Sequence, residues 1–104
     1  MVVGVCRLWL HLPDNHSLKG KRQVVRSIVE RVSNRFNVAI AEVEDQQRWQ
    51  MASIGFCCVS NSVQHADEVL SRVVAFIESQ RSDAQVVEYR TEVVHALDDG
   101  IPMP

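Results

Sequence analysis

Residues 2–12 alternate apolar and polar side chains with the period of two that is typical of a half-buried β-strand. One face of this segment carries four apolar side chains, Cys6, Leu8, Leu10 and Leu12. The opposite face carries Arg7, Trp9 and His11. We therefore predict a first strand with one face on the core and the other face open to solvent or to a partner.

Two later segments change to the period of an amphipathic helix. After turn-forming residues 13–16, Ser17 is a natural N-cap for a first helix from Leu18 to about Arg35. Its core side carries six apolar residues, Leu18, Val25, Ile28, Val29, Val32 and Phe36. A second apolar stripe consists of Ala66, Val69, Leu70, Val73, Val74 and Ile77. It predicts a second helix, with Asn61 as its N-cap and Gln64 as the capping-box partner.

Three further segments are rich in the residues that favour strands. Residues 38–44 and 49–59 form a predicted hairpin, and residues 85–95 form a predicted fourth strand. The resulting order β-α-β-β-α-β predicts a ferredoxin-like α+β sandwich, a four-stranded antiparallel sheet with two helices on one face. We expect one domain over residues 1–96 and a frayed C-terminal tail over residues 97–104.

Composition excludes several classes of protein. A chain of 104 residues with 46% hydrophobic residues, 23% charged residues and a net charge of −2 is neither disordered nor generally basic. No apolar run approaches the ~20 residues of a membrane span, and no secretory signal is evident. Three cysteines do not make a disulfide framework. We therefore expect a cytoplasmic protein that does not enter a membrane.

The charge is distributed unevenly along the chain. Residues 1–52 contain eight Lys and Arg against five Asp and Glu, whereas residues 53–104 contain three against eight. Most of the cations belong to the predicted first helix, at Lys19, Lys21, Arg22, Arg26, Arg31 and Arg35. At 100° per residue, Lys19, Arg22 and Arg26 form one stripe opposite the apolar side. The sequence thus predicts a basic helix surface, which Arg31 and Arg35 would extend.

The first turn of this helix contradicts what stability alone would favour. Cations there oppose the helix dipole, and Gly20 has a poor helix propensity. Free backbone N–H groups with added Lys and Arg would suit a phosphate instead. The alternative is that these are solvated side chains, with Lys19 and Arg22 near loop acids such as Asp14.

The histidines, cysteines and acidic residues do not form a recognisable metal site or catalytic site in the sequence. The four histidines and three cysteines lack a paired metal-ligand spacing, and adjacent Cys57 and Cys58 would point to opposite faces of a strand. No local signature activates a cysteine nucleophile. Three acids near the hairpin tip, Glu42, Glu44 and Asp45, are expected to form a solvated cluster. We expect no catalytic residue, no metal and no cofactor, and therefore a protein that is not an enzyme.

The predicted open face of the sheet permits two interpretations. Arg7, Trp9 and His11 resemble the surface on which RNA-binding sheets stack bases. A second aromatic residue of that kind is missing, because Phe56 on the third strand is predicted to face the helices. The same residues fit a sheet-mediated dimer contact equally well.

Several short motifs together resemble one family. They are Ser17-Leu18-Lys19-Gly20-Lys21-Arg22, Arg35-Phe36-Asn37-Val38, Ala41-Glu42-Val43, Asp45 with Trp49, and Val59-Ser60-Asn61. Over residues 2–94 the chain resembles the YlxP-like family of small bacterial proteins of unknown function. It departs from that family at Gly20, where an acidic residue is more usual, and in the tail.

The resemblance implies a ferredoxin-like fold and genes placed among those for translation initiation and ribosome maturation. It provides no catalytic residues to carry over. Our leading hypothesis is a non-enzymatic protein that binds structured RNA or a ribosomal subunit through the six basic residues of the first helix. The alternatives are a module that self-associates as a homodimer through the open sheet face, and a binder of a small anionic ligand at the helix start.

Overall fold

Four strands and two helices follow one another in the predicted order in the computed structural model, which describes residues 1–44, 47–80 and 83–102. The elements are β1 (Val2–His11), α1 (Leu18–Arg35), β2 (Ala39–Glu44), β3 (Met51–Ser60), α2 (Val63–Gln80) and β4 (Gln85–His95). The first helix and the fourth strand have the predicted bounds, whereas β3 begins two residues later than predicted. The ferredoxin-like plan is confirmed.

The sheet has the strand order β2-β3-β1-β4, and every neighbouring pair is antiparallel. Strand β1 therefore lies in the interior of the sheet, paired along its whole length with β3 on one side and β4 on the other. Its alternation is as predicted, with Leu8 and Leu10 buried under the helices and Trp9 half-buried on the other side. The side chains of Arg7, Trp9 and His11 consequently lie on the open face along an interior strand, with His11 at its end.

The core lies between the sheet and the two helices. It combines the inward side chains of β1 and β3 with the apolar stripes of α1 and α2, including Leu8, Ile54, Val32 and Val73, which are all fully buried. Among the described residues, no helix is long and apolar enough to cross a membrane.

Helix α2 approaches β1 closely at Gly4. A side-chain carbon added there would lie 3.2 Å from Cys58 Sγ, 3.2 Å from Leu70 Cδ1 and 3.3 Å from Ala66 Cβ. These separations are tight for carbon contacts, so the missing side chain of Gly4 lets α2 lie against the sheet at this point.

One N-cap is as predicted and the other is not. Ser17 Oγ accepts a hydrogen bond from the Gly20 N–H at 2.9 Å and caps α1. The N-cap of α2 is Ser62, whose Oγ accepts from the His65 N–H at 3.2 Å, so the assignment to Asn61 was wrong by one residue. The Gln64 amide donates to Glu68 one turn along the helix, so it is not engaged as a capping-box partner. Helix α2 begins one residue later than an N-cap at Asn61 would place it, because β3 extends to Ser60, one residue beyond its predicted end.

The two ends of the described chain meet beside β1 and β4. The Ala96 N–H donates to the Met1 carbonyl at 2.9 Å, and the N-terminal ammonium group donates to Ala96 O at 2.9 Å and to the Asp98 carboxylate. That last hydrogen bond holds the pKa of Asp98 below its ordinary value. Leu97 and Ile101, on either side of Asp98 in the sequence, are exposed.

Candidate functional site

Three cations form an exposed stripe on α1. Lys19, Arg22 and Arg26 lie at i, i+3 and i+7, on one side of the helix, as predicted. Within the part of the chain that the structure describes, none of the three takes part in an ion pair. We call these three residues the α1 stripe; its side chains are exposed, and Arg22 and Arg26 share a groove with Glu42 without forming an ion pair with it.

Lys21 does not belong to this surface. Its side chain is only 1% exposed, on the same side of α1 as Val25, Ile28 and Val32. Lys21 lies four residues before Val25 and, at 100° per residue, on the same core-facing side of the helix. The prediction that Lys21 contacts a phosphate was therefore wrong. Charge suggested exposure, but the helix geometry places this lysine between α1 and the sheet.

Arg31 and Arg35 are exposed but turn towards α2. The Arg31 guanidinium group donates to Gln80 Oε1 at 3.2 Å. The guanidinium carbon of Arg35 lies 5.0 Å from the centre of the Phe76 ring and 5.9 Å from that of Phe36. These contacts connect α1 to α2, so the predicted extension of the basic surface by Arg31 and Arg35 does not hold; they point away from the α1 stripe.

The predicted acidic cluster is divided between the two faces of the sheet. A β-bulge between Glu42 and Glu44 leaves Glu42 on the helix side and Glu44 on the open face. Glu42 Oε2 is buried and accepts no hydrogen bond from the described residues. It lies in a groove between α1 and β2 that Arg22 and Arg26 also line. The solvated cluster was therefore a wrong prediction for these two residues, and Asp45 lies outside the described residues.

The open face is occupied at its centre by a stack of charged and aromatic side chains. The guanidinium carbons of Arg7 and Arg90 lie 4.9 Å and 5.5 Å from the centre of the Trp9 ring. Arg7 also donates to Ser53 Oγ at 2.9 Å and pairs with Glu44, and Arg90 pairs with Glu88 at 3.0 Å. Because two arginines already lie against the Trp9 ring and their charges are balanced, this residue is a poor platform for a base.

The other half of the open face is apolar. A shallow groove of about 350 Å³ crosses β1, β3 and β2 and is lined mainly by small apolar residues, among them Val5, Ala39, Ala41, Val43 and Cys57. Val43 is 51% exposed and Val5 is 36% exposed. We call these five residues the apolar half of the open face.

A larger cavity, of about 540 Å³, lies where the start of β3 meets the end of β1. Its lining combines an indole, a guanidinium group, two imidazoles and two amides, from Trp49, Arg48, His11, His16, Gln47 and Gln50, with Met51 beside them. We call it the Trp49 cavity. Sequence reasoning placed His11 on the open face and His16 near the helix start, but it did not bring them together with residues 47–51.

Asn15 fixes one wall of this cavity. Its side-chain amide donates to Ser17 O at 2.8 Å and to Trp49 O. Gly20 leaves room for Asn15, because a side-chain carbon at residue 20 would collide with Asn15 Oδ1. The glycine that weakens the helix therefore permits a contact between the β1–α1 loop and the segment before β3.

Two of the three cysteines are buried, and no cluster that includes a cysteine forms a metal site among the described residues. Cys6 and Cys58 are buried, and Cys57 lies partly exposed on the open face, as the strand alternation predicted. Burial raises the pKa of the Cys6 thiol to about 11 and also raises the pKa of Cys58, which disfavours a nucleophilic thiolate. Among residues 1–44, 47–80 and 83–102, no three His, Cys, Asp or Glu side chains converge as metal ligands would.

Comparison with known proteins gives two findings. Residues 3–91 match the model of a family described as "Protein of unknown function (DUF503)". The chain is also 47% identical over 78 residues to the uncharacterized protein YlxP of Bacillus subtilis (strain 168). That alignment covers 75% of this chain and 85% of the relative.

Proposed function

This chain belongs to the YlxP-like DUF503 family of proteins of unknown function, the family that its motifs resemble, and we propose that it is a non-enzymatic, cytoplasmic protein that binds structured RNA. The RNA can be free or part of a ribosomal subunit, with a role in ribosome maturation or translation. The contact is made by the α1 stripe.

The observation that supports this proposal is that the α1 stripe is exposed and forms no ion pair with any described residue. Lys19, Arg22 and Arg26 extend over about 10 Å of helix at 1.5 Å per residue. The remaining described arginines on β1, β4 and the α2-facing side of α1 are engaged with Glu44, Glu88, Gln80 or aromatic rings. Exposed cations that form no ion pair within the described residues are suited to the phosphates of a polyanion.

Two of the three thiols, those of Cys6 and Cys58, are buried and have raised pKa values, which disfavours their nucleophilic thiolate forms. Phosphate contacts of this kind position a protein on RNA without reading its sequence, so binding is expected to be strongly salt-dependent.

Charge reversal at one exposed arginine tests this surface. We expect Arg26→Glu to weaken binding to ribosomal RNA roughly tenfold and to reduce the slope of log affinity against log salt by about one. Arg72→Glu is the matched control, since Arg72 is also an exposed helical arginine but lies on α2. The measurement is filter binding of both variants over a salt series, with co-sedimentation on ribosomal subunits. Equal affinities of Arg26→Glu and the unmodified protein would refute the assignment.

A second candidate function, self-association, is favoured by the apolar half of the open face. The four strands are six to eleven residues long and about 4.8 Å apart, so the whole open face, of which the apolar half is one part, presents roughly 600 Å² per copy. A face-to-face pair that buries the whole face exceeds the ~1,000 Å² that a specific interface needs. Arg7 is paired with Glu44 and Arg90 with Glu88, and the carboxylate residue Glu92 lies opposite Val5 on the same face. A mainly apolar surface with a carboxylate beside it suits a second copy better than it suits RNA.

Sedimentation equilibrium tests self-association. If the apolar half is an interface, the protein is a dimer at tens of micromolar, and Val43→Glu shifts it to monomer because a carboxylate would be buried there. Val63→Glu is the control, since Val63 is similarly exposed, at 41%, but lies at the start of α2. A protein that is monomeric at every concentration would exclude this candidate.

A further inference from the structure

We propose that the Trp49 cavity binds one unstacked nucleobase of a single-stranded segment in the RNA. This inference rests on the proposed function, because it names the part of the RNA that the neighbouring surface would take. The protein would then bind one unpaired base of the RNA in addition to its phosphates.

The size of the cavity suits such a group. Its volume of about 540 Å³ lies within the ~300–1,000 Å³ that small-molecule sites usually enclose. It opens at the end of the sheet where β1 ends and β3 begins, so an extruded base could enter while its own RNA strand stays outside. A paired base inside a duplex could not reach it.

The lining offers the contacts that a base requires. The Trp49 side chain is 51% exposed, and no arginine of the described residues lies over its ring, in contrast to Trp9. An exposed indole stacks on any base, because every base has a π-face. Amides and imidazoles, from Gln47, Gln50, His11 and His16, surround it and match the donors and acceptors of a base edge.

The wall that carries Trp49 is held in place before any ligand binds. Asn15 donates to Trp49 O, the Gln50 amide donates to Pro13 O at 3.2 Å, and the Leu12 N–H donates to Gln50 O at 2.8 Å. Three hydrogen bonds thus join residues 49–50 to the β1–α1 loop. A pre-formed site loses less conformational entropy when it binds.

The cavity also adjoins the start of the α1 stripe. His16 lines the cavity and lies one residue before the N-cap Ser17, and Lys19 follows in the first turn of α1. Arg48 contributes a further cation to the cavity lining. A strand with one base in the cavity would therefore have its phosphates beside Arg48 and Lys19.

Replacement of the indole tests the cavity. The probe is a ten-nucleotide single-stranded RNA with a central 2-aminopurine, measured by fluorescence anisotropy and by quenching of the 2-aminopurine emission. We expect Trp49→Leu to weaken binding about tenfold and to abolish the quenching. Trp9→Leu, on the occupied part of the open face, is expected to stay within twofold. Trp49→Tyr keeps an aromatic ring and should restore binding, which separates loss of stacking from loss of folding.

The outcomes distinguish this inference from the proposed function. If Arg26→Glu weakens binding of the same RNA but Trp49→Leu does not, the α1 stripe binds RNA and the cavity inference is overturned. If the unmodified protein binds no RNA, the proposed function fails, and titration with adenosine monophosphate decides the cavity alone. Quenching of protein fluorescence that is lost in Trp49→Leu would then sustain a nucleotide site, and no quenching would overturn it.

Discussion

Lys21→Glu is expected to lower the free energy of unfolding by about 3–5 kcal/mol, the usual loss when a buried charged group is left without compensation. The lysine side chain is 1% exposed and shares the core side of α1 with Val25 and Val32. A carboxylate at this position would lose its hydration and reverse the charge to which its surroundings are adapted. Urea denaturation followed by circular dichroism measures the change.

Lys19→Glu is the matched control for that substitution. Lys19 lies two residues away in the same helical turn but is exposed, so its replacement should change stability by no more than about 0.5 kcal/mol. A carboxylate near the helix N-terminus would also interact favourably with the dipole. If both variants unfold at the same urea concentration, Lys21 is not buried in solution. Charge reversal at Lys21 is consequently unsuited to testing RNA binding, because the fold itself would be affected.

Gly4→Val is expected to cost about 3 kcal/mol, at the upper end of the range for overpacking a core. The new side chain would project from β1 into α2, where even its first carbon would lie 3.2 Å from Leu70 Cδ1 and 3.3 Å from Ala66 Cβ. Two further methyl groups would force α2 away from the sheet. Thermal and urea unfolding of the variant provide the measurement.

Two alanine substitutions serve as comparisons for Gly4→Val, one at the same position and one on the open face. Gly4→Ala needs its neighbours to move by a few tenths of an ångström and should cost less than about 1 kcal/mol. Gly55→Ala is the control on the open face, where the new carbon would lie 2.7 Å from Val43 Cγ1. The half-exposed Val43 side chain can rotate away, so a small loss is expected there. A Gly4→Val protein as stable as Gly4→Ala would show that α2 does not pack closely on β1.

The two candidate functions use opposite sides of the molecule. The α1 stripe lies in the helix layer, whereas the apolar half lies on the uncovered face of the sheet. Pairing of two copies through their open faces would leave both α1 stripes exposed. Self-association and RNA binding are therefore compatible, and a dimer would present one basic helix on each of its two outer sides.

Local sequence pattern determined the elements and their faces. The period of two in β1 and the period of 3.6 in both helices reflect which side chains must leave water, and this requirement acts within each segment. The same rule placed Phe56 in the core and separated Cys57 from Cys58. The α1 stripe also followed from it, because exposure of Lys19, Arg22 and Arg26 depends only on helix geometry.

What the tertiary structure decided depends on contacts between segments distant in sequence. The bulge that separates Glu42 from Glu44 is set by pairing with β3, and the engagement of Arg35 depends on where α2 places Phe76. The Trp49 cavity joins residues 11 and 16 to residues 47–51 through the Asn15 amide. No local period encodes such contacts, since they arise only when the sheet brings the end of β1 against the start of β3.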